Sequence, residues 1–97
     1  MLIQVLQSHI DSGNHGNCRS CPIALAVKDV IREGITPVVS VTRIGLLVDG
    51  GIPLEYAWES SLPKIATSFI VRFDASYEVK PFSFEIDIPS AHLKEKQ

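Results

Sequence analysis

The chain lacks most of the features that announce a function class, and each absence excludes something. No run of basic residues occurs. With Lys and Arg scattered and a formal net charge of −2, non-specific attraction to a nucleic-acid backbone is weak, so no nucleic-acid partner is expected. No long apolar run occurs either: the apolar stretches are broken at Lys28-Asp29, Arg43, Asp49 and Arg72, too early for a spanning helix, so no membrane partner is expected. The first residues have neither the basic start nor the apolar core of a secretory signal, and the expected location is cytoplasmic. Internal repeats and low-complexity segments are absent. So are a phosphate-binding G-x-x-x-x-G-K-[ST] loop, a Ser-His-Asp set and a paired-carboxylate site. Asp49, Glu55, Glu59 and Asp74 each have a turn, edge or cap role that suffices.

Cysteine is scarce as well, but its two copies, Cys18 and Cys21, stand together as C-x-x-C in the run His15-Gly16-Asn17-Cys18-Arg19-Ser20-Cys21-Pro22. In a reducing compartment so close a pair reads as thiols or metal ligands rather than as a structural disulfide. The remainder reads as scaffold. At 97 residues the chain is one domain, and 45% hydrophobic against 21% charged residues is the balance of a packed core rather than a disordered segment. The ordered part is expected to span about 1–89, with 90–97 a frayed tail.

Leu2 to Leu6, with β-branched Ile3 and Val5, reads as a buried strand. Ser8 to Ser20, polar and carrying Gly13 and Gly16, reads as the first loop. From Pro22 the period changes: Ile23, Val27, Val30 and Ile31 share one helical face and Lys28, Asp29, Arg32 and Glu33 the other. Pro22 suits the first helical position and Gly34 a left-handed closing residue, so a helix is expected over Pro22 to Glu33. A β-rich region follows from Pro37 through Val48, with Gly45 a bulge or break. Asp49-Gly50-Gly51 reads as a hairpin turn into Ile52 to Ser60, which reads either as a strand with Pro53 at a sheet edge or as loop or helix, the latter leaving three strands and two helices. Ser61 reads as the N-cap of a second helix in which Leu62, Ile65, Phe69, Ile70 and Phe73 recur at helical spacing up to Asp74. Phe82 to Ile88 alternates strictly between apolar and polar residues, the clearest strand signal in the chain. The resulting order is β-α-β-β-α-β, the ferredoxin-like or split βαβ order, with both helices on one face of an antiparallel sheet.

The first loop collects His9, Asp11, His15, Cys18, Arg19 and Cys21, and three chemistries fit that set. Cys18, Cys21, His15 and His9 would supply the four thiolate and imidazole ligands of a tetrahedral zinc. Cys21 at a helix mouth beside Arg19 would have the lowered pKa of a redox thiol, although a thioredoxin-type enzyme also needs a cis-proline, for which Pro37, Pro53 and Pro81 are nominal candidates. The glycines, the free N–H groups of the helix mouth and Arg19 would hold a small anion, with His15, Gly16, Arg19 and Cys21 as its contacts. Tyr56, Trp58, Phe69, Phe73, Phe82 and Phe84 lack interleaved basic residues and read as core or interface residues rather than as a base-stacking surface.

A C-x-x-C in the first strand-to-helix loop, followed by an amphipathic helix, Gly34-Ile35 and then Val39 and Val41, resembles the heavy-metal-associated domains of copper chaperones over Cys18 to Val48. That resemblance implies copper at the two cysteines. The family's Met-Thr before its first cysteine is replaced here by Gly16-Asn17, and Pro22 after Cys21 departs from its pattern. Over most of the chain, His9-Ile10, Cys18-x-x-Cys21-Pro22-Ile23-Ala24-Leu25-Ala26, Phe69-Ile70-x-x-Phe73-Asp74 and Pro81-Phe82-x-Phe84 look like small uncharacterised proteins of phages and bacteria. That resemblance implies a phage or mobile-element origin and assigns no activity.

The leading expectation is a small non-enzymatic binding protein without a cofactor, a phage accessory or counter-defence factor that binds a host protein or a small anionic ligand at the first loop and helix mouth. A zinc or copper protein and a thiol-disulfide redox protein are its rivals. A two-fold dimer is expected, with the edge of Phe82 to Ile88 as the first candidate surface. With Cys21 at the N-cap, its thiolate is expected to be favoured and Cys21 to alkylate faster than Cys18.

Overall fold

The computed structural model describes residues 1–50 and 56–94. In β1 (Leu2–Val5) the branched residues Ile3 and Val5 face inward and Leu2 and Gln4 outward. α1 (Gln7–Ser12) follows at once, then the first loop, α2 (Pro22–Lys28), β2 (Ile35–Val39), β3 (Arg43–Val48), β4 (Trp58–Ser61), α3 (Lys64–Asp74) and β5 (Phe82–Glu85). A single 3₁₀ turn, Ser90–His92, comes last. The architecture is mixed α+β, with three α-helices and two antiparallel sheets among the described residues.

The strands divide where one four-stranded sheet was expected. β1 pairs antiparallel with β5, setting Ile3 opposite Phe84, while β2, β3 and β4 form a separate sheet in chain order. α2 packs against both β1 and β2. It can serve both because it is apolar almost all round: Pro22, Ile23, Ala24, Ala26 and Val27 are all buried. An amphipathic stripe would reach only one sheet. Full burial of Ile23 and Val27 contributes about 1.5–3 kcal/mol for each side chain.

α1 occupies the stretch expected to be loop. Its signal is local: the His9 imidazole reaches back so that Nδ1 accepts the Leu6 N–H at 2.9 Å, occupying a donor that a helix start would otherwise leave free. α2 stops at Lys28, short of Glu33, because the next residues are held by the end of the chain. Ile31 bridges Leu93, Arg32 N–H donates to the His92 carbonyl and Lys94 N–H to the Val30 carbonyl. The segment up to Lys94 is thus tied to the fold rather than frayed. Gly34 has the expected positive φ, +85°, but it lies beyond the helix and leads into β2.

The β-rich region resolves into a tight hairpin. Ser40 N–H donates to the Arg43 carbonyl, and Arg43 N–H donates back to Ser40 Oγ. Pro37 sits in β2, an edge strand, where its missing N–H costs no ladder bond. Gly45 stays in the regular ladder opposite Val38 and Glu59, so it is no bulge. Its missing side chain makes room for Tyr56, whose ring would lie 2.5 Å from a Cβ built there. Ser61 ends β4, and Pro63 takes the N-cap of α3. The expected strand over Ile52 to Ser60 lies partly outside the described residues; β4 covers its end. In the last strand the ladder ends at Glu85, but Ile86 and Ile88 continue the inward alternation and are buried.

Candidate functional site

The first loop is built from α1 to α2 by short-range bonds. Asn14 N–H donates to the Ser20 carbonyl, the Asn14 amide donates to Ser20 Oγ, and Arg19 N–H donates to Asn17 Oδ1. Gly16 takes a φ of +65°, a left-handed turn that a side chain would strain. Three long-range contacts then fix the loop against the body. Gly16 N–H donates to Asp74 Oδ1 at 2.9 Å, Val39 N–H donates to the Cys18 carbonyl at 2.7 Å, and the His15 ring stacks on Phe73 with centroids 4.2 Å apart.

Between the loop, the end of β2 and α3 lies a cleft of about 210 Å³, walled by Gly16, Cys18, Cys21, Ser40, Ile70 and Asp74. The structure thus brings Gly16, Cys18 and Cys21 to one hollow. His15 is turned onto Phe73 beside it, and Arg19 is exposed and outside its lining.

His9 stands elsewhere, with both ring nitrogens engaged. Nδ1 accepts from Leu6, and Nε2 lies 2.6 Å from Asp29 Oδ2. The four ligands of the expected zinc site therefore do not converge. Among the described residues no group of three or more His, Cys, Asp or Glu side chains is placed to hold a metal ion. α1 uses His9 for its own start, and Phe73 holds His15 by stacking.

Cys21 takes the N-cap position that Pro22 implies, and its Sγ accepts the Ala24 N–H at 3.5 Å. Its surroundings work against the expected thiolate. Burial pushes the Cys21 thiol up, outweighing the N–H groups of Ala24 and Ile23, which pull it down, and the negative charge of Asp74 adds to the rise. A dipole can favour a thiolate only where the charge keeps some solvation. Cys18 is the exposed member of the pair, and both cysteines are free thiols.

The chain matches no family model, no curated protein and no solved structure.

Sequence reasoning missed Ser40 and Asp74. Asp74 looked like the end of a helix, which it is, but only the fold shows that this helix end meets the first loop. Its carboxylate takes the Gly16 N–H that an anion would have used, so the cleft carries negative rather than positive charge. In the described residues no α-helix is long and apolar enough to cross a membrane.

Proposed function

We propose that this protein is a small non-enzymatic binding protein, a phage or mobile-element accessory factor that acts in the cytoplasm by docking its first loop on a host protein. One observation carries the reading: the loop is exposed and ordered together. His15, Gly16, Asn17, Cys18 and Arg19 all face solvent, while Asp74 and Val39 bind the backbone on which they sit. A loop already held in place loses little freedom on association, so more of its contact energy appears as affinity.

The same geometry supports a particular partner chemistry. Asp74 and the small cleft suit a basic or neutral side chain of a protein partner better than a small anion. A buried Cys21 with a raised pKa is a slow nucleophile, which weighs against redox turnover. Self-association belongs to this reading too, because among the described residues β5 pairs with a strand on one edge only, which leaves the other edge for a second copy. A monomer mass by light scattering at working concentration would remove that part.

Exposed Cys18 offers the test. The protein carrying a photoactivatable benzophenone maleimide at Cys18 is irradiated in bacterial extract. The expected result is one discrete cross-linked partner, lost in Asp74→Lys, which reverses the charge of the cleft. A smear of products equal to that of the denatured protein overturns the reading, as does disulfide turnover at an enzyme-like rate that is abolished by Cys21→Ser.

A further inference from the structure

α3 carries two opposite stripes. Ile70 and Asp74 face the first loop, while Ile65, Ser68, Phe69 and Arg72, at helical spacings of three, four and seven, line a larger cleft of about 530 Å³. Its other wall is the chain that returns from α3 to β5, with Val79, Lys80 and Phe82. A specific turn produces that return. Ser76 N–H donates to the Phe73 carbonyl and Tyr77 N–H to the Arg72 carbonyl, the paired bonds of a Schellman helix end, with Ser76 in the left-handed region at a φ of 63°. The turn folds residues 78–82 back along the helix and opens the hollow between them.

The walls differ in chemistry from those of the first-loop cleft. Phe69 and Phe82 meet with centroids 4.7 Å apart and a 30° tilt, giving an aromatic floor, and Ile65 and Val79 extend it. Two cations, Arg72 and Lys80, and one carboxylate, Glu78, also line the cleft, a net of one positive charge. Among the described residues neither cation forms an ion pair. A second hollow shares Arg72 and Glu78 with this cleft and adds Tyr77. The volume falls within the range of small-molecule sites, and an apolar floor with a few polar groups is their usual composition.

We propose that this cleft binds a small organic anion with an aromatic or aliphatic body. The carboxylate sits between Arg72 and Lys80, and the apolar body lies over Phe69 and Phe82. A guanidinium presents a planar fork that matches a carboxylate, and the ammonium of Lys80 adds a second charge-assisted donor. The site is independent of the first-loop reading: it uses the opposite stripe of α3 and no residue of the loop. It is also compatible with pairing through β5, since Phe82 projects from the face of that strand toward Phe69 whereas pairing uses the backbone in the plane of the sheet.

The test is a titration of the ¹⁵N-labelled full chain with naphthalene-2-carboxylate, followed by amide chemical shifts. Saturating shifts are expected at Ser68, Phe69, Arg72, Lys80 and Phe82. The neutral amide naphthalene-2-carboxamide should bind about tenfold more weakly, because it forgoes charge assistance from both cations. Arg72→Gln and Lys80→Gln should each weaken the carboxylate about threefold, half of that loss in free energy, and leave the amide unchanged. Both residues are exposed, so the fold should survive, and the dispersion of the free variants' spectra checks it. Ser68→Glu gives a second, independent variant that repels the anion while tolerating the amide. Shifts that fail to saturate by about 10 mM, equal affinity for carboxylate and amide, or saturation at amides elsewhere each overturn the proposal.

Discussion

His9 Nε2 lies 2.6 Å from Asp29 Oδ2 while its Nδ1 accepts the Leu6 N–H, so a single imidazole joins the start of α1 to the end of α2 and has no nitrogen left over. Because Nδ1 accepts, the ring proton must reside on Nε2 and be donated to the carboxylate. A histidine beside an aspartate invites a catalytic interpretation, but here neither nitrogen is free to move a proton for a substrate. The expected result of ¹⁵N NMR is a neutral His9 in the Nε2–H form. Removing the ring in His9→Ala should cost about 1–3 kcal/mol of stability, since it leaves Leu6 N–H without its partner. Asp29→Ala should cost less, because water reaches the exposed site that Asp29 vacates. Denaturant unfolding of the two variants checks the order.

The two cysteines should separate cleanly under alkylation. Cys18 is expected to label with iodoacetamide in the native protein, and Cys21 only after denaturation, as read by mass-spectrometric mapping. Preferential native labelling of Cys21 would contradict its burial.

The raised pKa of Cys21 has a sign in stability. A thiol that holds its proton more tightly when folded binds more protons in the native than in the unfolded state at alkaline pH. Its contribution is fully present below the ordinary thiol pKa and is lost as pH rises through the higher folded value. Stability should therefore fall on the alkaline side, above about pH 8.5, and Cys21→Ser should flatten that slope.

Gly45→Ala tests the contact between β3 and Tyr56 of the β3–β4 connection. A methyl group there meets the Tyr56 ring at 2.5 Å, and overpacking of this kind costs about 1–3 kcal/mol. The cost should largely disappear in a Tyr56→Ala background, which a double-mutant cycle by thermal unfolding measures.

Ser76→Gly should stabilise the protein by about 1 kcal/mol, because the left-handed conformation at this helix end strains any residue with a Cβ. A rise in melting temperature is the expected outcome, and an unchanged or lower value would place the strain elsewhere.

What the sequence revealed depended on how locally each feature is determined. Pro22 and Cys21 marked the start of α2 because the first turn of a helix is set by its own residues. Phe82 to Ile88 announced an inward alternation that outlasts its ladder. The end of α2 was illegible because Leu93 and Lys94, far along the chain, hold Ile31 and Val30 there. α1 was missed although Leu6, His9 and Ile10 stand at helical spacing; six residues are too few for a periodic signal. The hairpin at Ser40–Arg43 lacks the glycine and asparagine that usually mark such turns. At the site, the sequence picked out the loop and misjudged its electrostatics, because Asp74 arrives by tertiary packing. The groove of Arg72 and Lys80 was likewise hidden, its walls being brought together by a turn that carries serine where glycine is the usual sign.

The pairing of Ile3 with Phe84 also governs how the chain is made. β1 leaves the ribosome before α2, the β2–β3 hairpin and its only described strand partner, β5, so Ile3 and Val5 wait exposed while those intervening elements assemble. Translation at about 5–20 residues per second makes that wait a matter of seconds. For that interval the nascent protein offers an unpaired apolar strand to whatever else can bind one, and chaperone capture or aggregation competes with completion of the smaller sheet.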